Sequence, residues 1–153
     1  MAMQLDKRWS QMEQRTAEEM RKVYSEQTVD HVLNPRNLGK IPSPDGFARI
    51  TGPCGDTMEI YLRIRDGEIV DASFQTDGCG ATIAAGSMTT EMAKGKRVSE
   101  ALKISPQDVS NALGGLPQDS QHCALLAINT LREAIREYFA FKNEPWKRAY
   151  RRS

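Results

Sequence analysis

Cys54 lies in Gly52-Pro53-Cys54-Gly55-Asp56, Cys79 lies in Asp77-Gly78-Cys79-Gly80, and Cys123 directly follows His122. Glycine beside a thiol lets the backbone approach a ligand closely, and an apolar core places no demand for it. Cys123 is expected near the start of a long helix and Cys79 just before another. A helix N-terminus favours thiolate, the form that binds metal or attacks sulfur. Asp56 and His122 add a carboxylate and an imidazole to the three sulfurs. Zinc and iron–sulfur centres both draw on such donors. Taken singly, each residue has a plainer reading: a buried small hydrophobe, a turn aspartate, a structural histidine. Their joint position at element ends favours a metal or cluster site. Three thiolates with one oxygen or nitrogen donor hold an iron–sulfur cluster less firmly than four thiolates. That donor set suits a cluster that is built and handed on better than one that carries electrons permanently.

The elements that position these residues can be read from periodicity. Thr57 to Arg65 alternates, with Met58, Ile60, Leu62 and Ile64 on one face, and Glu68 to Thr76 alternates with Val70, Ala72, Phe74 and Thr76. Asp66-Gly67 marks the hairpin between them. A three-residue loop, Asp66 to Glu68, pairs Ile64 with Val70, Leu62 with Ala72, Ile60 with Phe74 and Met58 with Thr76. A two-residue loop sets Leu62 against Asp71, so one buried face selects the longer loop, with a bulge beside Gly67. Pairing Met58 with Thr76 brings Cys54 and Cys79 to the same end of the sheet. A shorter strand is expected over Phe47 to Thr51, after a turn-rich connector from His31 to Gly46.

Helices account for the remainder. Residues 1 to about 30 read as one helix, with Leu5, Trp9, Met12, Met20 and Val23 near one face. Ala81 to Lys94, Val98 to Lys103 and Pro106 to Leu113 are shorter helices, the last capped by Ser105 with proline at its first position. Gln121 to about Lys142 is the strongest, with Ile128, Leu131, Ile135, Tyr138 and Phe139 as its apolar face and Asp119 or Ser120 as its cap. The expected fold is α+β: a small, about three-stranded antiparallel sheet against several helices, with an extra N-terminal helix.

Composition narrows the function classes. The 153 residues suit one domain with short appendages. Twenty-one basic and 20 acidic residues leave a net charge of +1, which gives no sign of a nucleic-acid or acidic-lipid partner. Mean hydropathy is −0.56, and no run is long and apolar enough for a membrane span. The N-terminus lacks the apolar centre of a signal peptide, and three cysteines cannot all pair within one chain, so a cytoplasmic home is expected.

The motifs resemble the IscU/NifU-type iron–sulfur cluster assembly scaffolds. The resemblance runs from Tyr24-Ser25-Glu26 and Asp30-His31 through Asn34-Pro35-Arg36-Asn37-Leu38-Gly39. It continues through Cys54-Gly55-Asp56, Gly78-Cys79-Gly80 and His122-Cys123 to about Phe139. It implies a scaffold domain over residues 23–142, between an N-terminal helical extension (1–22) and a basic C-terminal tail (143–153). It implies that Cys54, Cys79 and Cys123 receive sulfur and ligate a nascent cluster, 2Fe–2S ahead of 4Fe–4S, with Cys123 the main sulfur acceptor. Asp56 is similar to the family aspartate tied to metal binding and release, and His122 to the histidine beside the third cysteine. The implied partners are a cysteine desulfurase as sulfur donor and apo iron–sulfur proteins or carriers as recipients, with a homodimer also in view. No turnover chemistry of the chain's own is expected. Zinc is an expected occupant of the same donors in the cluster-free form.

Departures from the family pattern and the competing readings bear on this; one departure is that Pro53 precedes Cys54 directly, where family members often have a residue between the two. Leu116-Pro117-Gln118-Asp119-Ser120 lacks the second proline, the valine and the lysine of the family's chaperone-recognition segment, so a dedicated Hsp70-type chaperone is not an expected partner. The interval from Cys79 to Cys123 carries no insertion of the kind typical of the zinc-dependent SufU-like sulfur-transfer branch, which remains the alternative reading. A zinc hydrolase would need Glu59 or Glu91 as a base over a metal-bound water, and no motif places either there. A structural-zinc module would hold its metal tightly and bind no sulfide.

Overall fold

The computed structural model describes residues 17–146. Leu5, Trp9 and Met12 of the expected first helix lie outside the described residues, as do Lys147, Arg148, Arg151 and Arg152 of the basic tail.

Three strands form one antiparallel sheet in the order β1-β2-β3: β1 (Gly46–Thr51), β2 (Thr57–Arg65) and β3 (Glu68–Thr76). Met58 pairs with Thr76, Ile60 with Phe74 and Leu62 with Ala72, as the burial pattern demands. The turn end differs from expectation. Ile64 pairs with Ile69, not Val70, and the register shifts between Arg63 and Ile64. Asp66 and Gly67 both have positive φ, 53° and 77°, the backbone of a two-residue hairpin turn matched to strand twist. The tight turn and the buried face call for registers one residue apart, and a bulge at Val70 reconciles them. Ile69 is consequently buried, while Val70 is 44% exposed.

Helices cover one face of the sheet. Residues 17–21 are helical (α1), followed by α2 (Glu26–Leu33), α3 (Gly80–Ala93), α4 (Val98–Ala101), α5 (Pro106–Ala112) and α6 (Gln121–Asn143). The single helix expected up to residue 30 is therefore broken at residues 22–25. Ser25 starts α2 as its N-cap, accepting from the Thr28 N–H, and its hydroxyl also donates to the Leu113 carbonyl. The capping serine thus competes with helix continuation through a tertiary partner. His31, expected in the connector, lies inside α2.

The core joins Met58, Ile60, Leu62 and Phe74 of the sheet to Ile128, Leu131 and Ile135 of α6. Phe139, expected on the apolar face of α6, is exposed, with Tyr138 packing beside it. A Cβ on Gly46 would sit 2.5 Å from the Ala134 carbonyl oxygen, so α6 lies directly against the start of β1. Helix α3 packs on β3, α2, α5 and α6. Its small residues, buried on several sides, suit that central place: Ala81, Thr82, Ala84, Ala85, Gly86, Ser87, Thr89 and Thr90. Ser105 and Asp108 form a reciprocal capping box at α5, as expected of a cap before Pro106. Ser120 occupies the N-cap position of α6 without a side-chain cap, because a 3-10 turn, Gln118–Ser120, leads into the helix instead.

Candidate functional site

Three segments distant in sequence end at the same edge of the molecule. The first is the β1–β2 loop. The Gly55 N–H donates to the Gly52 carbonyl and the Gly52 N–H to the Asp56 carbonyl, which closes a tight loop with Cys54 in its bend. Gly55 has φ +90° with open space around it, so backbone conformation calls for glycine there. The second is the β3–α3 junction. The Asp77 carboxylate accepts from the Thr57 N–H at 2.8 Å, which ties the junction to the start of β2, and Cys79 is the N-cap residue of α3. The third is the first turn of α6, which carries His122 and Cys123.

The Thr82 hydroxyl lies at their meeting point. Its Oγ1 is 2.9 Å from Asp56 Oδ2, 3.4 Å from Cys123 Sγ and 3.7 Å from Cys79 Sγ. Thr82 is 0% exposed. The sequence reading missed it: a threonine in Ala81-Thr82-Ile83-Ala84 matches no motif, and its partners arrive from other segments. Its one local signal is a place three residues after Cys79, in the first turn of the helix. Gly78 is explained by the same residue. A Cβ there would stand 2.7 Å from Thr82 Cβ and 2.9 Å from Asp56 Oδ2. Packing does demand that glycine, contrary to the expectation that only a ligand would.

The expected donors fall into two groups. Asp56, Cys79 and Cys123 gather around Thr82, and exposed His122 adds its Nε2 at 3.6 Å from Cys123 Sγ. Cys54 is exposed at the loop bend and takes no part in this hydrogen-bonded group. Among the described residues, no three His, Cys, Asp or Glu side chains form a ready-made metal site.

The two Thr82-linked thiols differ electrostatically. For Cys79, burial opposes ionisation, but the Thr82 N–H, the Thr82 hydroxyl and the Ala81 N–H outweigh it, and the pKa falls below the ordinary thiol value. That is the helix-start effect expected from the sequence. Cys123 behaves in the opposite way to expectation. Its side chain is 1% exposed, and burial pushes the thiol up to about 11. The Thr82 hydroxyl pulls down, while the negative charges of Cys79, Asp56 and Cys54 push further up. Desolvation outweighs the helix terminus at this position.

Fold and site together define a small α+β domain that presents thiols, a carboxylate and an imidazole from three segment ends. The NifU-like N terminal domain family matches residues 23–145, and the chain belongs to that family. A relative from Archaeoglobus fulgidus, "Iron-sulfur cluster assembly scaffold protein IscU 1", is 52% identical over 118 residues, which covers 76% of this chain and 77% of the relative. "Iron-sulfur cluster assembly scaffold protein IscU" of Aquifex aeolicus is 42% identical over 118 residues, 75% of each chain. A NifU-like N-terminal structure from Brucella abortus superposes with a TM-score of 0.63 at 20% identity, covering 77% of this chain and 95% of that one, and is a likeness of fold.

Proposed function

We propose that this chain is a scaffold on which an iron–sulfur cluster is assembled from iron and desulfurase-derived sulfur and then passed to apo-proteins. The carrying observation is the convergence of Asp56, Cys79 and Cys123 on one buried hydroxyl, beside exposed Cys54 and His122. Membership of the family and 52% identity to a relative named as such a scaffold support the reading.

In this reading the cluster is cargo. Cys54, Cys79 and Cys123 are its sulfur ligands, with Asp56 or His122 as the weaker fourth donor. A thiolate of the chain attacks the outer sulfur of a persulfide on the desulfurase. The donor's S–S bond breaks, its thiolate leaves, and the sulfur moves to the scaffold as a new persulfide. Reduction of each such sulfur to sulfide takes two electrons from a separate reductant. Cys123 is the sulfur acceptor that the resemblance implies, and because it is buried while Cys54 and Cys79 are exposed, sulfur delivery to it calls for the site edge to open. The domain proper spans about residues 23–142. The chain supplies ligands and position, with no turnover chemistry of its own. Zinc, which accepts the same donors, is a competitor in the cluster-free state.

The test is anaerobic reconstitution with ferrous iron, cysteine and a cysteine desulfurase, followed by addition of an apo-ferredoxin. Stoichiometric iron and acid-labile sulfide, with transfer to the acceptor, is the expected result. Serine at Cys54, Cys79 or Cys123 should impair cluster retention. Persistent zinc, with persulfide on a cysteine and no iron uptake, would replace this reading with sulfur transfer.

A further inference from the structure

The Thr82 hydroxyl carries one hydrogen and two lone pairs. The two nearest acceptors are Asp56 Oδ2 at 2.9 Å and Cys123 Sγ at 3.4 Å, with Cys79 Sγ further off at 3.7 Å. Both contacts cannot be donated at once. In the metal-free protein a consistent arrangement exists. Thr82 donates to the Asp56 carboxylate, the shorter of the two contacts, and Cys123 Sγ then goes without that hydrogen. Thr82 is fully buried, and Cys123 nearly so. Water therefore has little access to replace a donor lost at the Cys123 sulfur, whereas Asp56 is only half-buried and is hydrated when Thr82 lets go.

Metal capture changes which atoms need the hydrogen. When a divalent cation takes Cys123, the metal–sulfur bond forms as the S–H bond breaks, and the proton leaves to buffer. The sulfur is then an acceptor only. If Asp56 turns an oxygen toward the same cation, its need for the Thr82 hydrogen falls. One rotation of the hydroxyl, from Oδ2 to Sγ, serves both ends of this change without moving the backbone. Gly78 leaves the room that Asp56 and Thr82 share, since a Cβ there would press on both.

We infer that Thr82 is a positioning residue that exchanges its single hydroxyl hydrogen between Asp56 and Cys123, holding Asp56 back in the empty site and freeing it when metal binds the sulfur. The inference rests on the scaffold reading in taking Asp56 and Cys123 as ligands. It deepens that reading by naming the device that couples them.

The test uses the full cluster-free chain and Co2+ alone, read through the sulfur-to-cobalt charge-transfer band. Thr82→Val keeps the shape and removes the hydroxyl, and Thr82→Ser keeps the hydroxyl. Loss of an outer hydrogen bond to a metal ligand costs about tenfold or more in affinity, so Thr82→Val should bind Co2+ about tenfold more weakly. Thr82→Ser should stay within about twofold of the parent. In an Asp56→Ala background the hydroxyl serves sulfur alone, so the penalty of Thr82→Val should grow by about threefold or more, the non-additivity of a shared partner. Melting curves accompany each variant. Thr82→Ala, which removes the same hydroxyl with less bulk, takes the place of Thr82→Val should the latter unfold. Unchanged affinity in the hydroxyl-free variant would overturn the inference. So would a serine variant as weak as the valine one, or equal penalties in both backgrounds. A chain that shows the expected Co2+ pattern yet builds no cluster overturns the scaffold reading instead, and the two failures are distinguishable.

Discussion

At pH 8 a thiol with a pKa near 11 is ionised in about one molecule in a thousand. Cys123 is in that position, pushed up by burial, whereas Cys79 is held down by the first turn of α3. Iodoacetamide at pH 8 should therefore modify Cys79 well before Cys123 in the cluster-free chain. Each pH unit toward 10 should speed Cys123 about tenfold, while Cys79 levels off earlier. Mass spectrometry of peptides over a time course checks this, and comparable rates at pH 8 would contradict it. The contrast was half legible from residues alone. The place of Cys79 before a helix could be read from Gly78 to Ala81, and the structure bears it out. The burial of Cys123 could not, because it depends on the β1–β2 loop, β3–α3 junction and α6 meeting over it. Thr82 was invisible for the same reason: its acceptors lie 26 and 41 positions away.

His31 joins α2 to α3. Its Nδ1 is 2.7 Å from Ser87 Oγ, which also accepts from the Arg36 N–H at 2.9 Å. Burial lowers the His31 pKa first and the Arg36 charge adds to it, while Asp30 and Glu91 pull the other way. The folded state thus favours neutral imidazole. Between its lowered pKa and the ordinary value of about 6.5, the unfolded chain binds more protons, so stability falls as pH drops below about 6.5. Urea midpoints at pH 7.5 and 5.5 should show this loss, and His31→Gln should flatten it. The lowered Asp30 and Asp108 titrate only in the more acid carboxylate range. At the start of β1, Gly46→Ala should cost about 1–3 kcal/mol, since the new methyl meets the Ala134 carbonyl. Denaturant unfolding would read it, and a neutral result would mean that α6 shifts freely. Most elements were readable because alternation, Asp66-Gly67 and Ser105-Pro106 are local signals. The bulge was expected beside Gly67 and lies at Val70, because turn and face preferences conflict over these few residues. The break at Ser25 escaped because half of its cause is the Leu113 carbonyl, far along the chain.

Across the whole molecule the sheet and the helices share one core, with Phe74 of β3 fully buried against Gly86 of α3. Phe74→Ala should cost about 3–5 kcal/mol, seen as a lower melting temperature without loss of the cooperative transition. A cost below about 1 kcal/mol would mean that the site end and the core fold independently. The α+β class was open to sequence reasoning because each element buries one face. The identity of α3 as the central helix was not, since its small residues carry no amphipathic stripe. One consequence follows from the meeting of three segment ends at a single edge. Any cargo that bridges them exists only on the folded chain, so occupancy and unfolding are thermodynamically linked. At free ligand about a hundred times its dissociation constant, the folded state gains about 2.7 kcal/mol, and hand-over returns it. The loaded and empty proteins should therefore melt at different temperatures and resist protease differently. A recipient that removes the cargo leaves behind a measurably less stable protein.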